Sequence, residues 1–400
     1  MTMTMRRAGA RLMIAAALVS AAACEDDGVL SRGVERVEIA PQTGPLWAGD
    51  SIQLGVSIVD EDGRPAQAAV VWSSSDTTVA RVDAAGRIAA RRAGRATVTA
   101  TAGGKTGTAP ILVSGYELLY EARVGNTTDL FVVPVEGGTP RRLLPAGMTG
   151  SDPAPSADGQ RIAFVVREIM EDETGRWLQS DIWSIRRDGS GMRRLTDSPA
   201  DDDQPSWSPD GTRIAYRSFA SGQASDIWTM NAEGGDQRRL TFDPPLTVAG
   251  EARPAWSPDG TRIAYASDEL GGSSGDFDIF TLRPDGSGRL RLTAGPDRDS
   301  DPAWSPDGTR LVFRRLRQGD SDLMIVGAAG GDAVGLARAG FQNTPAWSPD
   351  GRMIVFTEST GPSDTPQLFS VRPDWTGVQQ RTGAAGGNQA AFLAAVPPPL

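Results

Sequence analysis

Carboxylates and one thiol are the side chains in this chain that could do chemistry. Its 400 residues include 50 Asp and Glu, a single cysteine, Cys24, and no histidine. Without imidazole there is no ordinary general base for a serine or thiol nucleophile, and no His/Cys set for zinc. Gly271-Gly272-Ser273-Ser274-Gly275 has the spacing of a nucleophile elbow, but no histidine exists to activate its serine, which excludes hydrolysis by a triad. What remains is chemistry by acids: Asp152; Asp201, Asp202 and Asp203; Glu251; and Asp297, Asp299 and Asp301. If these converge, they suit Ca²⁺ or a basic protein surface, and a pair roughly 5 to 10 Å apart suits glycoside cleavage. Their bland reading is as solvated charges that keep an acidic protein soluble.

The elements that must position these acids are short and repeated. Trp-Ser-Pro-Asp-Gly occurs at Trp207–Gly211, Trp256–Gly260, Trp304–Gly308 and Trp347–Gly351, with a degenerate copy at 155–159. The turn aspartates, Asp158, Asp210, Asp259, Asp307 and Asp350, are 52, 49, 48 and 43 residues apart, the period of one supersecondary unit repeated about an axis. Proline presets φ, aspartate bonds the neighbouring backbone and glycine takes positive φ, so each copy is a hairpin turn. Around it the pattern reads as four strands, as at Pro205–Trp207, Arg213–Tyr216, Asp226–Thr229 and Arg238–Thr241, which is a propeller blade. The second strand occurs six times, from Leu118–Tyr120 to Ile354–Phe356, and the third also six times, opening at Asp129, Asp181, Asp226, Asp278, Asp322 and Gln367. With 47 Gly, 28 Pro and 39% hydrophobic residues, the fold class is all-β.

The unit at Leu118 lacks a first strand, while Asn388–Leu393 mimics one and has no blade after it. Pairing of residues 388–396 near Leu118–Tyr120 would close a six-bladed ring over 115–396 and remove its open edges. The acids then fall just before the innermost strands, near the channel mouth. Trp207, Trp256, Trp304 and Trp347 lie on those strands and pack between blades. The recurrent third-strand aspartates serve the blade, and Arg193, Arg194, Arg238 and Arg239 are outer-edge charges. The long, irregular connections share one face, and Trp177, in the loop 167–180, is the candidate contact residue there. These repeats resemble the propeller of TolB and its relatives over roughly residues 116–396. The resemblance implies six blades and a role in periplasmic protein binding.

Before the propeller, residues 34–114 alternate in about seven short strands, a β-sandwich. The runs Val71-Trp72-Ser73-Ser74-Ser75-Asp76 and Ala93-Gly94-Arg95-Ala96-Thr97-Val98-Thr99-Ala100 resemble bacterial Ig-like group 2 domains, which implies a spacer or adhesive module with Trp72 in its core. Arg6, Arg7 and Arg11 precede the apolar stretch Leu12–Ala23, too short to span a bilayer, so residues 1–23 read as an export signal. Ala21-Ala22-Ala23-Cys24 resembles a lipoprotein box, which implies lipidation of Cys24 and a tether over 24–33. Removal of residues 1–23 leaves 37 basic against 50 acidic residues, a net charge of −13, which repels nucleic acid.

The expectation is a monomeric, non-catalytic lipoprotein of the cell envelope, exported to the periplasmic side or the cell surface. It would touch the membrane through its lipid alone, need no cofactor, with Ca²⁺ as the one candidate metal, and bind an envelope protein through its irregular face. The alternative is a carbohydrate-binding or carbohydrate-cleaving propeller working through acids at the channel mouth.

Overall fold

A computed structural model describes residues 33–41, 46–47, 50–125, 127–134, 139–172, 175–220, 224–242, 250–268, 276–336, 338–359, 361, 366–381 and 388–396. Cys24, the export signal, most of the tether and the elbow-like 271–275 lie outside them. The described elements are all strands. The amino-terminal sandwich pairs Val34–Ile39 with Val56–Asp60, Ser51–Gln53 and Ala80–Val82 with Arg87–Ala90, and Val71–Ser74 with Gly94–Ala102. Alternation along Gly94–Ala102 sends Ala96 and Val98 inward, onto Leu46, Val79, Ile88 and Ile111, and Ala100 onto Val37. Trp72 packs against that core. Gly86 lies so close to its indole that a Cβ there would stand 2.6 Å from the ring.

No linker separates the two domains. The strand Lys105–Val124 is 20 residues long. Its first half pairs with Gly94–Ala102 in the sandwich, and its second half with Thr127–Pro134 in the first blade. The other edge of that second half is covered by Asn388–Val396, antiparallel, with Leu393 opposite Leu118 and Phe392 opposite Leu119. Arg352 of the last blade adds an ion pair of 2.5 Å to Asp50 of the sandwich.

Five further four-stranded sheets follow, each ordered from its innermost strand outward. The innermost strands are Ser151–Pro155, Asp201–Trp207, Glu251–Trp256, Arg298–Trp304 and Phe341–Trp347. Adjacent blades share their cores: Leu119 and Leu130 of the first blade pack with Ile162 and Phe164 of the second. Fully burying a side chain of this size stabilises by about 1.5–3 kcal/mol, and a blade alone would leave one face wet. Trp207 and Trp347 are buried in these inter-blade clusters, while Trp256 and Trp304 are half-buried against theirs.

Two polar devices recur among the blades. In the turn, Ser208 Oγ donates to Asp210 at 2.6 Å and accepts from the Arg213 N–H at 2.9 Å, and the Thr212 N–H donates to Asp210 at 3.0 Å. The serines at 257, 305 and 348 repeat the bond to their aspartates at 2.6 Å. These bonds hold the Asp210, Asp259 and Asp307 carboxyls below their ordinary range. The second device joins strands three and four. Buried Asp129, Asp181, Asp226 and Asp278 accept from Arg142, Arg194, Arg239 and Arg291. Arg194 and Arg239 stand on the outermost strand and also tie it to the buried aspartates, because strand four brings every second side chain back over strand three. Arg193 and Arg238 are the ones that face outward.

Candidate functional site

The innermost strands line a channel with a narrow waist. Below it, on the side of the Ser-Pro-Asp-Gly turns, lies a cavity of about 320 Å³ walled by the Pro-Ala-Trp and Pro-Ser-Trp segments. Above it, toward the irregular connections, a mouth cavity of about 450 Å³ is lined by Glu121, Arg217, Phe277, Arg298, Arg314 and Asn343, among others. Gln204, Arg253, Asp301 and Thr344 line both cavities, and Asp152 lines the lower one.

These five residues are one position repeated in five blades. Each precedes a proline and lies in a β-bulge of its innermost strand. Each takes a left-handed conformation, with φ of 47° at Asp152, 53° at Gln204, 54° at Arg253, 56° at Asp301 and 47° at Thr344. A bulge lifts one residue off the ladder and re-aims its side chain, here toward the lumen. The conformation costs about 1–2 kcal/mol for an ordinary L-residue, and a β-branched threonine is an outlier in it.

Arg253 crosses the waist. Its guanidinium bonds Asp152 of the second blade at 2.8 Å and Asp301 of the fifth at 3.1 Å, and the Arg253 backbone N–H donates to Gln204 Oε1 at 2.7 Å. Burial works against its charge, but Asp152, Asp301 and Asp203 outweigh it and raise the Arg253 pKa further. Asp301, which burial pushes up, is held below its ordinary range by Arg253 and Arg314.

The sequence-predicted acids do not form an open carboxylate cluster. Asp203 is gripped by Arg217 at 2.7 and 2.5 Å, Asp299 by Arg315 at 2.7 Å through both nitrogens, and Asp297 by Arg317 at 2.7 Å. Asp201 accepts from the Ser180 N–H at 2.8 Å. Asp202 and Glu251 are buried away from the lumen, and burial pushes the Asp202 carboxyl up to about 6. Asp201, Asp202, Asp203, Glu251, Asp299 and Asp301 lie within the innermost strands rather than before them, since pairing continues past the bulge. Among the described residues, no group of three or more acid, cysteine or histidine side chains is close enough to hold a metal ion.

Trp177 is also placed differently. Residues 167–172 and 175–180 are strand rather than loop: Arg161–Asp172 and Gly175–Arg186 pair along their whole length, and Trp177 faces Met170 across the arm. The arm leaves Ile169, Met170, Trp177 and Leu178 exposed, because neither edge has a further strand to pack on. The residues missed by sequence reasoning are the arginines, 217, 253, 298 and 314, and Glu121. Glu121 accepts from the Asp152 N–H at 2.9 Å, and its carboxyl is pushed up to about 7 by burial, with Asp152 adding to the rise. A signal for Arg253 was present: it stands where the other repeats have Asp, Gln or Thr, always before proline.

Residues 247–364 match the model of the TolB beta propeller domain, residues 177–289 that of the Tricorn protease N-terminal beta propeller domain, and residues 34–113 that of the bacterial Ig-like domain (group 2). The propeller is TolB-like, and a group 2 Ig-like domain precedes it. TolB from Acinetobacter baumannii superposes with a TM-score of 0.59 at 16% identity, over 82% of this chain and 83% of that one. A putative TolB from Agrobacterium tumefaciens gives a TM-score of 0.53 at 19% identity, over 71% of this chain and 99% of that one. At such identities the likeness concerns the fold. An uncharacterized protein of Agrobacterium fabrum (strain C58) is 32% identical over 91 residues. That match takes in 23% of this chain and 28% of the relative, so the chain spans well under a third of the curated protein it matches. The TolB-like ring supplies the frame, and the waist and mouth are what this chain builds on it.

Proposed function

We propose that this chain is a non-catalytic, exported lipoprotein whose TolB-like propeller binds another protein through the face carrying the mouth and the projecting arm. The observation that carries the reading is the mutual neutralisation of acids and arginines around the channel. A carboxylate pair at work on a glycosidic bond needs one group to give a proton and one to attack or take one. Asp152 and Asp301 instead share Arg253, while Asp203, Asp297 and Asp299 each hold an arginine. Such a lattice stiffens a recognition surface without offering acid–base chemistry. The exposed arm with Trp177 has the composition of a contact element, an aromatic residue beside aliphatic ones on paired strands. The Ig-like domain and lipidated Cys24 would hold this face off the membrane, and the chain would act as a monomer with no cofactor; Ca²⁺ finds no support in the arginine-filled mouth.

Site-specific photocrosslinking in the native envelope tests this. A crosslinker at Trp177 or Leu178 should trap one defined protein, and one at Arg95 on the sandwich should not. Background capture alone from both propeller sites, in several growth conditions, would overturn the proposal. Cys24→Ser should release the chain from membranes; unchanged fractionation would remove the anchor from the reading.

A further inference from the structure

The mouth and waist hold side chains that blade geometry does not require. At the five waist positions the next residue is always proline, while the residue itself is Asp, Gln, Arg, Asp or Thr. Glycine would satisfy the positive φ with less strain, and it occurs at none of them. Strain retained in ring formation around a lumen points to the side chains as the reason.

Above the waist, the mouth cavity is of the size that takes a small molecule. Charge there departs from the rest of the chain, which carries −10. Four arginines, at 217, 253, 298 and 314, meet Glu121, Asp152, Asp203 and Asp301. Asp301 is shared between Arg253 at 3.1 Å and Arg314 at 3.3 Å. Arg298 lies over the Phe277 ring at 4.5 Å and makes no ion pair among the described residues. Arg314 pairs in register with Ser300, two residues beyond Arg298, so both arginines rise from one face of the fifth blade. Arg314 is fixed by Ser300 Oγ at 3.0 Å and Asn343 Oδ1 at 3.0 Å, so the one cavity holds a positioned guanidinium and, over an aromatic ring, an exposed one whose planar donor fork matches a carboxylate.

We propose that the mouth cavity is a binding site for a small organic carboxylate, anchored by Arg298 and Arg314, with Phe277 against its apolar part and the waist as its floor. This site is separate from any protein docking on the arm and does not depend on it.

Titration calorimetry on the full chain tests the assignment with four probes: glutarate, glucuronate, glucose and inorganic phosphate. The two carboxylates should bind and glucose should not, with phosphate at least tenfold weaker than the better carboxylate. Arg298→Ala should weaken that carboxylate at least tenfold and Arg298→Lys by less, because lysine keeps the charge and loses the fork. Arg95→Ala, an exposed arginine of the sandwich, should change nothing. Arg298 is exposed and makes no ion pair among the described residues, so its variants should melt with the parent, and melting curves verify this. Failure of both carboxylates to bind, phosphate binding as tightly as either, or full affinity in Arg298→Ala would each overturn the site.

Discussion

Thr344 shows how the waist differs from an ordinary strand. Its φ of 47° is one that β-branched residues avoid, and the proline after it narrows the choice further. Thr344→Gly removes that strain and gives up a hydroxyl contact of 3.1 Å with Thr357 together with the packing of a half-buried methyl. Thermal melting should show the variant as stable as the parent or more so, by up to about 1 kcal/mol; a clear loss would mean that the threonine's contacts set the conformation. Glu121 and Asp202 give a second residue-scale expectation. Burial raises the first from 4.5 to about 7 and the second from 3.8 to about 6. Both carboxyls bind protons more readily folded than unfolded, so their contribution is fully present below pH about 4 and is lost as pH rises toward 6 and 7. Glu121→Gln should flatten that decline by about 1–3 kcal/mol, which denaturant titrations between pH 4.5 and 7.5 would measure. The turn aspartates act in the opposite direction at lower pH: Asp307, held at about 2, supports the fold above 3.8 and loses that contribution below it.

At the scale of elements, the strand Asn388–Val396 carries the closure of the ring. Its absence would leave residues 115–122 an open apolar edge between two domains, the arrangement that invites pairing with another chain. Truncation after residue 387 should therefore give a protein that associates on size exclusion and melts broadly at lower temperature. A monomeric truncation with the parent's melting curve would show that the other blades close the ring unaided. The strand was legible because a blade missing its first member and a spare first-strand pattern at the far end are complementary sequence facts. Residues 167–172 and 175–180 of the arm were not legible as strand. Arg167, Glu168, Gln179 and Ser180 break the apolar alternation, and only pairing across the hairpin reveals the strands.

For the whole molecule, the strand Lys105–Val124 makes the Ig-like domain and the propeller continuous. Pairing on both halves of that strand, with the Arg352–Asp50 bridge, leaves no hinge between them. Insertion of five Gly/Ser residues between Ser114 and Gly115 should broaden the distance distribution from small-angle scattering. The parent should fit one fixed orientation.

The sequence by itself determined the repeat, the turn chemistry, the number of blades and the kind of each domain, because periodicity, Pro-Asp-Gly turns and alternation act over a few residues. It also excluded triad hydrolysis, since no histidine is present. It placed the acids Asp152 and Asp301 near the channel, but not their partners. Arg253 lies 101 residues from Asp152. Only the closed ring brings those two together, and only the bulge before each proline turns their side chains into the same lumen. A run of aspartates in sequence reads as free negative charge; tertiary structure decided that Asp152, Asp203, Asp297, Asp299 and Asp301 are held by arginines from other strands and blades, and that Arg298 is an exposed cation at the mouth.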